Sequence, residues 1–486
     1  MSSQKDIKAI ILEATKGAKL TVPDRAELGD YAFFATDAEK TVESLQANKE
    51  LAGVVEVKAV GKFVNFYLKS DVLVDSLSGI DGEYGKNKVG QGKTVIIDYS
   101  APNIAKPFGI GHLRSTIIGQ ALYNLYQACG WQTIGDNHLG DWGTQFGKLL
   151  CQISDSAKAS SDKQNLDLQK LEEMYVQFHK DVKEHPELEE EARKWFKKLE
   201  DGDPVAKKLW QACVDVSMAE FNRIYELLGV KIDYAYGESY YEDKMKNIVK
   251  LAKDKGLAHE SEGALVIDIP GQKTPLMLLK SDGATTYATR DLATLEFRRD
   301  QWNPDLVIYE VSVEQKLHFE QVFAAARLLG LIGEKTVLYH TKHGWYLGPD
   351  GKKFSTREGK TVKLEEVLQE AIVRAKKLGC KDEATAKAVG VGAIKYYDLM
   401  RSVTTDVIFD WEKVMNLEGN SGPYLQYTYA RAKSVLLKGA HPSGEMAPTT
   451  QGVCGSVNFR LSLTSAVAQV LQNGLGLLGI SSPERM

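Results

Sequence analysis

Residues 101–119 read APNIAKPFGIGHLRSTIIG. The preceding KTVIIDYS (93–100) is a short strand of the fully buried type. The pattern that follows, HLRSTIIGQALYNLYQACG (112–130), predicts a helix with Leu113, Ile117, Ala121, Leu122 and Leu125 on one face, stopped by Gly130. WQTIGDNHLGDWGTQFG (131–147) begins as a second strand, which makes a βαβ unit. A glycine-bearing loop between strand and helix suits an anion, because the helix start offers free amides. A P-loop does not fit. GQGKT (90–94) would need a glycine at 87, where Asn87 stands, and it precedes the strand instead of following it. A dinucleotide loop fits in part. Gly109-x-Gly111-x-x-Arg114 supplies two of three glycines, and Asp136 lies near the end of the next strand, but Arg114 stands where close helix–strand packing wants no side chain. An NAD-dependent oxidoreductase on this loop would bind a nicotinamide cofactor.

Working outward, a second strand–helix–strand series appears far downstream in PDLVIYEVS (304–312), VEQKLHFEQVFAAARLLGL (313–331) and KTVLYHTKHGWYLG (335–348). Residues about 151–225 are helical in pattern and highly charged, an insertion between two halves of a doubly wound parallel sheet. Residues 1–90 read as a small α+β unit that ends in the glycine-rich DGEYGKNKVGQGK (81–93). Helical patterns dominate 362–486 and predict an α-bundle, interrupted by the Pro/Gly/Ser/Thr stretch GAHPSGEMAPTTQGVCGSVN (439–458). The expected organisation is therefore 1–90, 91–361 and 362–486.

The chain has 486 residues, 43% hydrophobic and 26% charged, with a net charge of −4. No global basic field draws nucleic acid, so such a partner would need a local basic patch. The five cysteines (Cys129, Cys151, Cys213, Cys380 and Cys454) have no metal spacing and read as reduced thiols of a cytoplasmic protein. No apolar run has the length of a membrane span, and the amphipathic start MSSQKDIKAIILEATKG is not a signal peptide.

A third reading of residues 101–119 is a nucleotide site in which Gly111 admits the nucleoside and His112 donates to phosphate oxygens. This is how class I aminoacyl-tRNA synthetases, which the stretch resembles, hold ATP. The resemblance implies a second basic loop after the last strand for the leaving pyrophosphate, where clustered cations suit charge on a transferring phosphoryl group. GPDGKKFSTREGKTV (348–362) supplies a tight turn followed by Lys352, Lys353, Phe354, Ser355, Thr356 and Arg357. Alone this would pass for a charged surface loop. The dinucleotide reading gives it no role.

Together DYSAPNIAKPF, IGHLRSTIIG, GDNHLGDWGTQFGKL, TYATRDLATLEFR, VEQKLHFEQVF, KFSTREGKTVKL and the ending LLGISSPERM resemble the arginyl-tRNA synthetases, class I aminoacyl-tRNA synthetases, over nearly the whole chain. The resemblance implies ATP-dependent ligation of L-arginine to tRNA(Arg) through an arginyl-adenylate, with ATP and Mg2+, in a cytoplasmic, usually monomeric enzyme. It implies that tRNA binds before arginine is activated. On that footing Gly109, Gly111, His112, Lys106, Lys352, Lys353, Phe354, Ser355 and Arg357 would serve ATP and the reaction. Asn103 and Asn137 would hold the amino-acid end. A guanidinium wants a carboxylate in fork geometry, and Asp291 is assigned that part, with Tyr287 and Gln315 lining the pocket. Tyr287 and Asp291 are spaced i,i+4 and share a helix face. An ordinary pairing of Asp291 with Arg290 or Arg298 is the competing expectation. The N-terminal unit (PDRAELGDYAFF, GKFVNFYL) would contact tRNA, with Phe66 among Phe63, Phe66 and Tyr67 as candidate, although strand spacing puts at least one of them in the core. The bundle would read the anticodon through Tyr424, Tyr427 and Tyr429.

Two departures from the family stand out. Gly109 replaces the His that opens its His-x-Gly-His signature. The 439–458 stretch replaces several helices of its anticodon-binding domain. A synthetase-like protein that binds tRNA or a partner with impaired catalysis is the alternative these departures suggest.

Overall fold

The computed structural model describes residues 7–159, 166–348, 350–352, 362–439 and 457–486. Lys353, Phe354, Ser355, Thr356 and Arg357, and all of the 439–458 stretch except its ends, lie outside the described residues. The chain forms two compact units: Met1–Tyr84 with Ala432–Val470, and Gly85–Arg431 with Leu471–Met486.

In the first unit, β1 (Tyr31–Phe34), β2 (Val55–Val60) and β3 (Phe63–Leu68) form an antiparallel sheet in the order β1-β3-β2. Alternation along β2 and β3 sends Val55, Val57, Val64 and Phe66 into a core with Ile11, Val42 and Leu51. Phe66 is fully buried, and its ring packs 6.0 Å from Phe33. It has no face open to a base, which corrects the assignment of Phe66 to tRNA contact. The aromatic surface of this sheet is instead Phe34 with Phe63, paired across β1 and β3 edge to face at 5.9 Å and both exposed.

The second unit is built on β4 (Thr94–Asp98), β5 (Gln132–Asp136), β9 (Leu306–Tyr309) and β10 (Val337–His340). They form one parallel sheet in the order β10-β9-β4-β5. Both faces of β4 are covered, as a parallel sheet requires. Ile96 packs with Val307, Leu292 and Leu295 on one side. Val95 and Ile97 pack with Tyr99, Tyr123 and Ile308 on the other. This is the doubly wound arrangement expected. Between its halves, helices Thr144–Ala159, Leu168–Glu184, Leu188–Glu200 and Pro204–Leu228 form the charged insertion. The antiparallel trio β6 (Ala258–Ser261), β7 (Ala264–Ile267) and β8 (Leu276–Leu279) was not anticipated. Four residues per strand leave little periodicity to read.

The helix after the opening loop runs Leu113–Ala128. Leu113, Ile117 and Ala121 are buried, but Leu125 is 39% exposed, because the last turns rise out of the core. The close helix–strand approach that a dinucleotide loop builds at its third glycine occurs here at Gly119, where an added Cβ would lie 2.3 Å from the Tyr99 side chain. Helices Leu364–Lys377 and Glu383–Leu399, expected in a separate C-terminal bundle, share a core with Ile110, Leu113 and Ile117. The division between the two units passes through helices Gly422–Gly439 and Val457–Leu477.

Candidate active site

The loop leaving β4 is held in an unusual backbone. Ser100, Ala101 and Ala105 have φ of 77°, 44° and 61°, left-handed values that cost each non-glycine residue about 1–3 kcal/mol. Each amide is caught by a buried acceptor. Ser100 N–H donates to Ser115 Oγ, Ala101 N–H to Asn137 Oδ1 and Ala105 N–H to Ser217 Oγ, all at 2.9 Å. Such over-determined strain turns residues 99–105 into a fixed platform. Asn103 sits on it, bridged to Gly140, whose added Cβ would lie 2.3 Å from Asn103 Oδ1.

The signature itself, Ile110–His112, is a 3-10 turn with Gly109 as its N-cap at φ −83° and ψ 161°. Any residue can adopt that backbone. Gly111 is exposed with open space over its Cα. Burial holds the His112 imidazole below its usual pKa, hence neutral, and its Nδ1 is buried with no partner among the described residues. Phe108 packs on its ring at 5.2 Å. Lys106 is exposed, its ammonium 5.7 Å from the Tyr175 ring. The second loop meets the first at its exit. Ile110 N–H donates to Val362 O at 3.0 Å and Leu364 N–H to Phe108 O at 2.8 Å. Lys352 is exposed at the entry.

Beside the platform lies a cavity of about 270 Å³ lined by Asn103, Tyr287, Asp291 and Gln315, four of the five residues expected for arginine. Helix Tyr287–Trp302 starts at the cavity and presents Tyr287 and Asp291 together. Asp291 pairs with neither Arg290 nor Arg298. His318 Nε2 lies 2.5 Å from Asp291 Oδ2. Burial pushes the Asp291 carboxyl up, but the His318 hydrogen bond and the charges of His318, His138 and Arg290 outweigh it and hold the carboxyl below its usual range. Burial likewise opposes charge on His318, and Asp291 overcomes it, raising the imidazole pKa. Arg290 turns instead to Glu238 (3.3 Å) and Glu242 (3.4 Å). Arg298, fully buried, bridges Asp98 and Asp136 at 2.7 Å each. With Arg290 on Glu238 and Arg298 on Asp98, Asp291 is the carboxylate of the cavity that carries no guanidinium among the described residues.

Asn137 is the exception among the five. It is fully buried, its Oδ1 holds the platform at Ala101 and its Nδ2 donates to Tyr225 OH at 3.0 Å. Both amide ends are used, so it braces the loop and does not line the cavity. Several lining residues were missed: His138, Glu238, Arg290 and His318. His138 and His318 stand inside the GDNHLG and KLHFE motifs. Glu238 carries no local signal and arrives from a 3-10 turn over Glu238–Tyr241. Burial, then the Asp141, Asp291 and Glu242 charges, against the pull of Arg290, push its carboxyl up to about 7. Tyr424 and Tyr427 are each 40% exposed on their helix, and Arg431 Nη1 donates to Tyr427 OH at 3.3 Å. Tyr429 is buried, so it packs where base stacking was expected.

The family description "tRNA synthetases class I (R), catalytic domain" matches residues 74–411, and "DALR anticodon binding domain" matches residues 453–486. The arginine–tRNA ligase of Exiguobacterium sibiricum is 38% identical over 534 aligned positions, covering 96% of this chain and 95% of its own. The arginine–tRNA ligase 2 of Bacillus anthracis is 39% identical over 539 positions with the same coverage. Both alignments exceed the 486 residues of this chain, so each relative carries residues that this chain lacks. The arginyl-tRNA synthetase structure from Plasmodium falciparum shares the fold at a TM-score of 0.77 and 23% identity, covering 99% of this chain and 98% of that one. The Thermus thermophilus arginyl-tRNA synthetase does so at 0.71 and 21%, covering 99% of both. The buried Arg114 and the tethered pair of loops displace the dinucleotide reading, and the chain belongs to the arginyl-tRNA synthetase family.

Proposed function

We propose that the chain ligates L-arginine to tRNA(Arg) in two steps. A carboxylate oxygen of arginine attacks the α-phosphorus of ATP, the bond to the bridging oxygen breaks, and pyrophosphate leaves. The terminal ribose hydroxyl of tRNA then attacks the adenylate carbonyl and AMP leaves. The protein forms no covalent bond, so its contribution is placement and charge. Asp291 takes the guanidinium, in place of or beside His318, with Gln315 and Tyr287 around it. Asn103 holds the amino-acid end next to the signature. Gly111 admits the adenosine. Neutral His112 offers a ring N–H to phosphate, and Lys106, Lys352, Lys353, Ser355 and Arg357 supply cations and a hydroxyl, with Phe354 and Gly109 at the nucleotide. Mg2+ enters as companion of the ATP phosphates, a role in which it keeps several waters and needs one or two carboxylates. Among the described residues no group of three His, Cys, Asp or Glu side chains is gathered to hold a resident metal. Residues 1–90 contact the tRNA, with Phe63 and Phe34 as their open aromatic faces, and Tyr424 and Tyr427 lie in the anticodon-binding part. The enzyme works as a monomer in the cytoplasm, and no helix among the described residues is long and apolar enough to cross a membrane.

The observation that carries this reading is the meeting of Asn103 from the signature platform with Asp291, Tyr287 and Gln315 in one cavity. Pyrophosphate exchange with arginine and with citrulline, its uncharged isostere, tests it. Exchange with arginine alone is expected, and equal exchange with both contradicts the role of Asp291. The second reading, a tRNA-binding relative with impaired catalysis, draws on Gly109 and on the residues missing against the relatives. It predicts tRNA binding without arginine-dependent exchange.

A further inference from the structure

Arg114 follows the signature directly, at the position where a dinucleotide loop has glycine. It is 1% exposed. Its Nε lies 3.2 Å from Asp398 Oδ1 and 3.1 Å from Oδ2, and its Nη1 donates to Thr405 O at 2.8 Å. Asp398 is equally buried, near the end of helix Glu383–Leu399. Thr405 stands two residues before β12 (Val407–Ile408), which pairs in parallel with β11 (Tyr346–Leu347). Trp345 N–H donates to Asp406 Oδ1 at 2.7 Å, Val407 N–H to Trp345 O at 2.8 Å and Phe409 N–H to Leu347 O at 2.9 Å. β11 ends at the entry to the second basic loop. Ser115, next to Arg114, donates to Glu310 O at 2.6 Å, and the Glu310 carboxylate is paired with His343 Nδ1 at 2.7 Å, three residues before β11. Two polar routes thus lead from the signature helix to the entry of the second loop. The one through Glu310 and His343 is buried, and the one through Arg114 starts at the buried Asp398 pair and comes to the surface at Thr405 and Asp406. The exit of that loop is already joined to residues 108–110 by backbone.

A buried ion pair is a poor source of net stability, since apolar residues of similar volume often serve as well or better. What this pair fixes is the relation between two segments far apart in sequence. We propose that Arg114 is a positioning residue for ATP: clamped to Asp398 and Thr405, it sets the signature helix against the β11–β12 segment and so against the entry of the second basic loop. This rests on the reading that both loops serve ATP. Neither Arg114 nor Asp398 touches substrate in this account.

The test uses the full chain with tRNA(Arg) present. The double variant Arg114→Met/Asp398→Leu removes both charges together and should keep the thermal midpoint. Its kcat/KM for ATP in pyrophosphate exchange should fall on the order of 10²-fold, the cost of misplacement by about 1 Å, while the arginine KM stays put. Arg114→Lys, which keeps charge and loses the fork, should fall between the two and guards against a double variant that does not fold. An unchanged kcat/KM for ATP in either folded variant overturns the proposal and leaves the function intact. So does a loss that follows the arginine KM or the thermal midpoint. If the unaltered chain binds ATP without exchange, ATP affinity becomes the readout, with the same expected order of the three proteins. If it binds no ATP, the reading of the loops falls and the proposal with it.

Discussion

Asp291 and His318 carry the specificity argument at the scale of single residues. A hydrogen bond to a charged group contributes about 1.5–3 kcal/mol, so Asp291→Asn should raise the arginine KM by roughly 10–100-fold with little change in the ATP KM. Steady-state exchange at varied arginine and varied ATP separates the two. The pair also has a pH signature. The folded pKa of His318 is raised, so its contribution to stability is complete below the unfolded value of 6.5 and is lost as pH rises through the folded value. In Asp291→Asn the raising partner is gone and burial remains, so the His318 titration followed by NMR should drop from above 6.5 to below it. An unmoved midpoint would mean that the contact is absent in solution. Glu238 runs the other way. Its folded pKa of about 7 lies above the ordinary 4.5, so the unaltered chain loses stability as pH rises across that interval. Thermal midpoints of Glu238→Gln, taken relative to the unaltered chain, should therefore climb from pH 4.5 to 7, and a flat difference contradicts the assignment. That Asp291 and Tyr287 share one cavity was legible, because the two stand i,i+4 on a helix and a guanidinium site calls for a carboxylate. Glu238 was not, since a lone glutamate in YGESYY has no pattern that sets it apart. Asn137 was placed in the right neighbourhood with the wrong duty, because a sequence cannot tell which buried amide faces the substrate and which holds the loop.

Elements position these residues, and they were easier to read. The parallel strands announced themselves as apolar runs, and the βαβ pattern fixed β4 and β5 around the signature. The platform of residues 99–105 was hidden: left-handed Ser100, Ala101 and Ala105 look ordinary in sequence, and the side chains that hold them come from Ser115, Asn137 and Ser217. Gly140 gives this element a direct test. In Gly140→Ala the new methyl would take the place of Asn103 Oδ1. The amide can swing away, so the fold should survive with an unchanged thermal midpoint while the arginine KM rises. A variant that melts earlier but binds arginine normally would show that Asn103 has no part in the site. Helices Leu364–Lys377 and Glu383–Leu399 are the clearest misplacement, because amphipathic periodicity reveals an apolar face and not the core it joins. Asp398 on the second of them turns out to secure the helix of the signature.

Across the whole molecule, the sequence carried the family and the chemistry further than it carried the division into units. The N-terminal sheet has its own core, and Phe66→Ala should weaken that unit by about 3–5 kcal/mol. Charging and tRNA-dependent exchange should both suffer at low tRNA(Arg) and recover at saturating tRNA(Arg), with the ATP KM unchanged, and a loss that saturating tRNA does not relieve would put Phe66 in a wider role than core packing. Gly109 bears on the whole reaction, because loss of one preorganised donor costs about 2.7–4 kcal/mol, or 10²–10³ in rate. The backbone angles there suit any residue, although Gly109 is buried, so Gly109→His should speed activation, and its thermal midpoint shows whether the buried position admits the imidazole. The central claim, that this chain activates arginine with ATP, is tested most directly by arginine-dependent ATP–pyrophosphate exchange with and without tRNA(Arg). The unaltered chain is expected to exchange when arginine and tRNA are both present, and Asp291→Asn to fall far below it at low arginine. No exchange in the unaltered chain or in Gly109→His, with no binding of arginine or ATP, would contradict the claim and leave only the fold.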